Sequence, residues 1–291
     1  MGLLRNGGKI MSKQKKHRIS GWVYHIGMFG FAFAMIYPLV WMVVSSFKQN
    51  SDIFVTAASL FPKNVTLEHY STGWKGFAGY TFTTFFGNSI FVAALSIIGT
   101  LFSSVTVAFG FARLQFKGKN FWFVLMMLTM MLPSQVLMIP TFLIYNRLGM
   151  VGSMLPLYLP NFFGNAFNIF MVMQFIRGIP KDMDEAARID GCSWYGILYR
   201  IHLPMIKPCM ATVAILTFMG SWQDFMGALL YLSSPKQYTV AYALKLFNDS
   251  SGNDYGATFA MSTLSLIPVL VLFFLFQKQL VEGISIQGLK G

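Results

Sequence analysis

Long apolar runs alternate with short polar segments along most of the 291-residue chain. A helix needs about 20 predominantly apolar residues to cross the hydrocarbon core of a bilayer. Runs of about that length lie near residues 20–47, 86–111, 121–145, 155–175, 208–231 and 258–276. Because a backbone in hydrocarbon must satisfy its own hydrogen bonds, the pattern predicts an all-α integral membrane protein with six transmembrane helices.

A polar segment over residues 177–207 separates the fourth apolar run from the fifth. Four of the chain's ten acidic residues lie in it, between Asp182 and Asp190. Hydrocarbon does not tolerate charge at this density, so the segment must project into water between two membrane spans. We call it the polar island.

The sequence of the island predicts two short helices that meet at an angle. Pro180 suits the first turn of a helix, where its missing N–H costs nothing, and acids in that turn favour the positive end of the helix dipole. Gly191 suits a left-handed C-terminal cap, and Ser193 suits the N-cap of a second helix. We therefore predict a hinge at Gly191.

The distribution of Lys and Arg places the island in the cytoplasm. The N-terminal tail, the turn after the second span, the island and the C-terminal tail hold 6, 3, 5 and 2 basic residues, whereas the opposite side holds six. By the positive-inside rule both termini are cytoplasmic. The predicted organisation is a basic tail over 1–19, a first span over 20–47, an extracytoplasmic segment over 48–85, a core of five spans over 86–282 and a cytoplasmic tail over 283–291.

Composition supports a membrane protein and excludes several function classes. The chain is 55% hydrophobic and 11% charged, whereas a soluble domain has about 25% charged residues. The net charge of +12 lies at the inner ends of the spans rather than in a basic patch with aromatics, so we expect no nucleic-acid binding. Neither the two cysteines nor the four histidines have metal-ligand spacing, and no Walker A loop occurs. We therefore expect no metal site and no ATP hydrolysis by this chain.

The first island helix carries small side chains. Its spacing places on one face Met183, Ala186, Ala187 and Asp190. Two alanines there would let another protein approach closely, and Glu185 beside them could accept an arginine. A helical loop that packs on its own membrane domain explains the same pattern. The residues alone leave these two alternatives equally open.

Few polar side chains lie inside the predicted spans. Asp224, in the fifth, is the only acid among them, and it is either a hydrogen-bonded structural acid or a wall group of a cavity for hydroxyl-rich ligands. Asn161, Asn165 and Asn168 follow one face of the fourth span at i, i+4 and i+7. That face either lines a translocation path or bonds to neighbouring helices.

Seven residues of the island follow a fixed spacing: Glu185, Ala186, Ala187, Gly191, Ile201, Leu203 and Pro204. They match all seven specified positions of a known signature, and the island therefore resembles the EAA loop of binding-protein-dependent ABC importer permeases. A resemblance to the maltose-type carbohydrate subgroup extends over most of the chain. The stretches that carry it include Asn88-Ser89, Arg188-Ile189-Asp190-Gly191, Val281-Glu282-Gly283 and Leu289-Lys290-Gly291.

The resemblance implies a permease subunit that forms half of the translocation path of an ATP-driven carbohydrate importer. It implies a multi-pass protein of the bacterial cytoplasmic membrane, surrounded by lipid, with no cofactor in this chain. The implied partners are a second homologous permease chain, a dimer of ATPase subunits that bind Mg-ATP, an extracytoplasmic solute-binding protein and the carbohydrate. In that family the EAA loop is the coupling helix, so the first island helix is expected to enter a cleft of the ATPase, with Glu185 paired to a basic residue there.

One stretch departs from the family pattern. Where the family commonly shows Trp-Asn-Asp-Phe in the fifth span, this chain has Trp222-Gln223-Asp224-Phe225. Together with the three asparagines of the fourth span, Trp222, Gln223 and Asp224 are the candidate lining of the translocation path.

Other function classes also fit a polytopic chain. An ion-coupled secondary transporter would need ionisable residues near the bilayer centre and an internal repeat, whereas the sequence has one off-centre acid and no repeat. An integral membrane enzyme would need a convergent catalytic set, which the sequence lacks. We predict the ATP-driven importer, with the ion-coupled transporter as the alternative.

Overall fold

A computed structural model describes residues 4–57, 59–250 and 254–288, with side chains described over 24–57, 59–248 and 254–277. The described part is helical and contains no β-strand, which confirms the prediction of an all-α chain. The chain divides into two compact units, Met1–Tyr70 with Asn253–Thr263 and Ser71–Gly252 with Leu264–Gly291.

The helices follow one another along the chain with short connections. In order they are α1 Leu4–Ser45, α2 Asp52–Val55, α3 Glu68–Trp74, α4 Phe82–Arg113, α5 Lys119–Met131, α6 Ser134–Arg147, α7 Leu155–Tyr158, α8 Ala166–Gly178, α9 Asp182–Ile189, α10 Trp194–Ile197, α11 Leu203–Met205, α12 Lys207–Trp222, α13 Phe225–Tyr231, α14 Val240–Ser250 and α15 Tyr255–Gly288. Single turns of 3₁₀ helix lie at Leu159–Phe163 and Pro235–Gln237, and a π-helical turn lies at Leu198–His202.

Three helices of the described chain are long and apolar enough to cross a membrane. They are Tyr24–Ser45 within α1, the whole of α4, and Tyr255–Gln277 within α15. Two bent pairs could each form one more span: α5 with α6, bent by 105°, and the segment Trp194–Met205 with α12, bent by 77°. The first, second and sixth predicted spans thus correspond to single long helices. The total of six stays a prediction.

The third and fourth predicted spans are not single straight helices. Pro133 lacks a backbone N–H and takes an extended conformation, so α5 ends before it and α6 begins after it. In the fourth region Pro156, Pro160 and Gly164, with a φ of +104°, leave only short turns before α8. The prediction of one continuous helix over 155–175 is therefore wrong.

The central helix of the second unit is α4, which packs against α8, α12 and the 3₁₀ turn at Leu159–Phe163. Ser103 Oγ donates to the carbonyl of Asn161 at 2.8 Å, and Ser96 Oγ donates to that of Leu157 at 3.5 Å. The hydroxyls of α4 therefore satisfy carbonyls that the broken helix leaves without intrahelical partners.

The first turns of α4 hold the loop that precedes α14. Asn88 Nδ2 donates to the carbonyls of Lys236 and Tyr238 at 2.8 and 2.9 Å. Ser89 Oγ accepts from the Val240 N–H at 2.8 Å, at the first residue of α14. The Asn88-Ser89 pair thus joins two segments about 150 residues apart in sequence by three hydrogen bonds.

In the first unit a buried lysine orders the segment that follows α1. Lys48 is 1% exposed, and its Nζ donates to the carbonyls of Thr56 at 3.1 Å and Ser59 at 2.6 Å. A ring nitrogen of His69 lies 2.8 Å from the Lys48 carbonyl. A buried ammonium needs such partners, because its transfer from water without them is very costly.

Both segments predicted as tails contain helix. Because α1 begins at Leu4, the helix runs through most of the segment predicted as a basic tail over 1–19. Lys, Gln and Arg, which are good helix formers, make up much of that segment, and the helix also runs through Gly7 and Gly8. At the other end α15 continues to Gly288, and residues 289–291 lie outside the described part.

Candidate functional site

The first island helix, α9, is favoured by charges at both ends. Three acids lie in its first turn and Arg188 lies in its last, each opposite in sign to the nearby end of the helix dipole. Gly191 then takes a φ of +82°, and the Cys192 N–H donates to the Ala187 carbonyl at 2.9 Å. This left-handed cap ends α9 and reverses the chain into α10.

The helix α9 has two faces with different neighbours. Glu185, Ala186 and Ile189 are exposed, whereas Asp184 and Ala187 are 5% and 8% exposed. Consecutive helical residues lie about 100° apart around the axis, so the two alanines point in different directions. The predicted common face is therefore wrong for Ala187, which packs against the chain's own core. Only Ala186 remains available to a partner.

The inner face of α9 is attached to α4 by a buried ion pair. Asp184 Oδ2 lies 2.7 Å from Nε of Arg113, in the last turn of α4, and both side chains are at most 7% exposed. Arg113 Nη2 also donates to the Ile179 carbonyl, just before α9. Removing one member of such a pair costs about 3–5 kcal/mol, because the other charge is left buried and uncompensated.

The other oxygen of Asp184 contacts a histidine from the second half of the island. His202 is fully buried, and its Nε2 lies 2.6 Å from Asp184 Oδ1. It belongs to the π-helical turn, in which hydrogen bonds join residues five apart rather than four. Its ring packs edge-on against Phe109 of α4 at 5.2 Å. Three separate segments thus meet at one carboxylate.

The surroundings of His202 favour the neutral imidazole. Burial lowers the pKa of His202 more than the hydrogen bond and charge of Asp184 raise it, and Arg113 lowers it further. Nδ1 makes no hydrogen bond within the described chain. With Nε2–H donating to Asp184, a bare Nδ1 needs no donor, whereas an imidazolium would bury an unsatisfied N–H.

The remaining signature residues lie in the second half of the island. Ser193 caps α10, since its Oγ accepts from the Gly196 N–H at 3.2 Å. Ile201 and Leu203 pack partly buried against the core, and Pro204 is exposed. The signature positions therefore divide between an exposed set and an internal set.

The sequence did not single out Arg113, Asp184 or His202 as a group. The signal that could have found Asp184 is its i, i+3 spacing to Ala187, which places an acid on the packed face of a short helix. Asp184 and His202 lie 71 and 89 positions after Arg113 in the sequence, and no local pattern connects them to it. Only the fold brings the three together.

The candidate path residues meet at an open cavity of ≈ 390 Å³ in the second unit. Its polar lining consists of Asn161, Asn165, Asn168, Thr217, Ser221 and Asp224. These side chains come from the broken fourth region and from the end of α12. Four of the six predicted path residues therefore lie around one space.

Two of those polar groups also cap helices. Asn165 Oδ1 accepts from the Asn168 N–H at 3.2 Å and begins α8, and Asp224 Oδ1 accepts from the Gly227 N–H at 2.8 Å and begins α13. Since α8 begins only after Asn165, Asn161 is not on the same helix as Asn168. The predicted i, i+4, i+7 face is therefore wrong, although the three side chains do converge.

Trp222 and Gln223 do not line this cavity. Trp222 is 4% exposed, its Nε1 donates to the Ser265 carbonyl at 3.1 Å, and its ring stacks on Phe218. Gln223 is exposed on another side of the helix end. Trp222 thus joins α12 to α15 rather than contributing to the cavity wall.

The described residues of the island and of the cavity provide no cluster of metal-binding side chains. Among the described residues no three His, Cys, Asp or Glu side chains are arranged to hold a metal ion, and Cys192 and Cys209 are both free thiols. What the island and the cavity offer is charge and hydrogen-bonding groups.

Comparisons with known proteins identify the family of this chain. Residues 104–286 match the family described as binding-protein-dependent transport system inner membrane component. The chain is 36% identical to a probable ABC transporter permease protein, YurM of Bacillus subtilis, over 94% of this chain and 88% of the relative. It is 31% identical to the arabinooligosaccharides transport system permease protein AraQ of Halalkalibacterium halodurans, over 96% and 100%. Its fold is similar to a chain of a bacterial ABC transporter involved in alginate import, with a TM-score of 0.80 at 24% identity over 90% and 97%.

Proposed function

Because the chain belongs to the family of binding-protein-dependent transport system inner membrane components, we propose that it is the permease subunit of an ATP-driven importer for a carbohydrate. A permease of this kind is not an enzyme, since a separate ATPase subunit hydrolyses the ATP. The chain supplies half of the translocation path and the surface through which the ATPase moves it.

The observation that carries the proposal is the two-faced helix α9. Its outer face presents Glu185 beside the small side chain of Ala186, and its inner face is attached to the end of α4. A partner that holds the outer face can therefore pull on a membrane span. The sequence left docking to a partner and packing on the chain's own core as alternatives. In the proposed function both apply to α9, because the two interactions use different faces of the helix.

A carbohydrate cargo is supported by the cavity and by the relatives. Amides, hydroxyls and one carboxylate around the cavity match the hydrogen-bonding demands of a hydroxyl-rich ligand. The arabinooligosaccharide transport for which the Halalkalibacterium halodurans relative is named points to the same class. Which sugar is carried depends largely on the binding protein and on the second chain.

The assembly needs four further protein components of three kinds. These are a second homologous permease that completes the path, a pair of ATPase subunits that bind Mg-ATP, and an extracytoplasmic solute-binding protein. The island and both termini face the cytoplasm in this arrangement, in accordance with the positive-inside rule. ATP-driven closure of the ATPase pair moves α9, and the spans rock between outward- and inward-facing states.

Reconstitution separates this function from ion-coupled transport. The complete complex is placed in liposomes with the sugar that its co-encoded binding protein retains, and uptake is measured with internal ATP or with an imposed proton or sodium gradient. We expect uptake that needs both ATP and the loaded binding protein. Uptake driven by an ion gradient in the absence of the ATPase would contradict the proposal.

A further inference from the structure

The carboxylate of Asp184 is the point at which the island and α4 are joined. Arg113 at the end of α4 contacts one oxygen at 2.7 Å, and His202 from the second half of the island contacts the other at 2.6 Å. Arg113 also holds the Ile179 carbonyl in the linker that enters α9. The side chains of all three charged or titratable groups are at most 7% exposed.

Apolar packing alone holds α9 weakly. The helix is eight residues long, and the only apolar side chain that it buries is the single methyl of Ala187. Hydrophobic stabilisation scales with the apolar area buried, and a methyl contributes little of it. The polar contacts of Asp184 are therefore the main attachment of α9 to the membrane-spanning part.

Asp184 is too deeply buried to contact a partner directly. Its neighbour Glu185 is exposed. Of these two adjacent acids on α9, Asp184 therefore contacts the chain's own core and Glu185 is available to a partner. A displacement applied to the outer face reaches α4 only if the inner attachment is stiff. A carboxylate held on both oxygens, by groups from two other segments, provides that stiffness.

We propose that Asp184 is a positioning residue that, through Arg113 and His202, makes α9 and the cytoplasmic end of α4 move as one body during the transport cycle. This rests on the proposed function, since it assumes that α9 is the surface pulled by the ATPase. Loss of the attachment leaves ATP hydrolysis in place and disconnects it from the movement of the spans.

The test compares Asp184→Asn with the unmodified chain in the complete complex, reconstituted in lipid. Three quantities are measured: assembly with the ATPase, sugar transported per ATP hydrolysed, and hydrogen–deuterium exchange of the amides of residues 184–190. We expect assembly to persist and sugar transported per ATP to fall about tenfold, within the range by which residues that link two sites change their coupling. Amide exchange over 184–190 should become faster.

A pair of variants at His202 keeps the test decisive if Asp184→Asn does not assemble. His202→Gln retains a neutral N–H donor for Asp184, and His202→Leu removes it while leaving an apolar side chain. We expect the glutamine to restore most of the sugar transported per ATP and the leucine not to. Equal values for these two variants would overturn the proposal, as would an assembled Asp184→Asn complex with unchanged transport per ATP and unchanged amide exchange.

A third variant distinguishes failure of this inference from failure of the proposed function. Glu185→Lys reverses the charge on the outer face and leaves Asp184 in place. If Glu185→Lys abolishes assembly or stimulation by the binding protein while Asp184→Asn behaves as the unmodified chain, docking stands and the positioning role is wrong. If Glu185→Lys has no effect, docking through α9 is wrong, and the exchange measurement at 184–190 still decides whether Asp184 anchors the helix.

Discussion

At the residue scale, two polar side chains illustrate how surroundings assign a role. His202 lies in the polar island with Asp184 and Arg113 as the ionisable groups that face it, and burial favours its neutral form. Asp224 lies at a helix start and at a cavity wall, where its carboxylate both caps α13 and faces the open space. Each residue thus combines a local structural contact with a position at a candidate site, and substitutions can separate the two.

The neutral state of His202 predicts a pH dependence of stability. Since burial lowers its folded pKa below the ordinary value of 6.5, the unfolded chain takes up a proton first as pH falls. The stabilisation is complete above pH 6.5 and is lost as pH falls from there through the lowered folded pKa. Thermal unfolding of the complex at pH 7.5 and at a lower pH should show a smaller loss for His202→Gln. Equal losses for the two proteins would contradict this assignment.

Substitutions of Asp224 should separate the helix cap from the cavity wall. Asp224→Asn keeps an oxygen that can accept from Gly227 and removes the charge, so stability should change little while transport weakens. Asp224→Ala also removes the cap and should cost about 1 kcal/mol of stability. Thermal unfolding and the sugar concentration at half-maximal uptake are the measurements. Gln223→Ala, at an exposed position that does not line the cavity, is the control, and a larger transport defect there would refute the placement of the cavity.

At the scale of elements, the sequence predicted the type of structure better than its continuity. Apolar length located the helices that became α1, α4 and α15, because a backbone in hydrocarbon must satisfy its own hydrogen bonds and a helix does so within one segment. The prolines inside α1 and α15, Pro38 and Pro268, do not end those helices. The break at Gly164 was missed, since apolar composition does not reveal whether neighbouring hydroxyls will satisfy freed carbonyls. Ser96 and Ser103 of α4 do so, and they lie far from that break in sequence.

The close packing of α4 on the broken region gives a matched pair of glycine substitutions. A Cβ on Gly99 would lie 2.5 Å from the Phe162 ring, whereas a Cβ on Gly110, in the same helix, would meet nothing within 4 Å. Gly99→Ala should destabilise the protein by about 1–3 kcal/mol, since a packed ring must move. Gly110→Ala should be neutral or stabilise by up to about 1 kcal/mol, because alanine favours a helix. Thermal unfolding of both variants checks this, and the reverse order would refute the packing.

The candidate site was predictable to the extent that it is local. Gly191 and the acids of α9 carry their signals within a few residues, and the structure has a left-handed glycine between two short helices. The inward direction of Ala187 and the partners of Asp184 depend on α4, so they could not be obtained from the spacing of the island alone. The convergence of the asparagines with Asp224 likewise required the fold.

At the scale of the whole molecule, the first helix of the polar island has one attached face and one free face. One face of α9 is fixed to the membrane-spanning part through Asp184, and the other carries Glu185 and Ala186 into solvent. The central claim is that this outer face is the surface on which the ATPase acts. The neighbouring alanines, one exposed and one packed on the core, make that claim directly measurable.

The most direct measurement is cysteine cross-linking at those two alanines. Ala186→Cys and Ala187→Cys are made separately in a chain whose Cys192 is replaced by serine, and the assembled complex is treated with a short bifunctional reagent. We expect a cross-link between position 186 and the ATPase subunit and none from position 187, which the core covers. Equal yields from both positions, or no cross-link from position 186 in an assembled complex, would contradict the central claim.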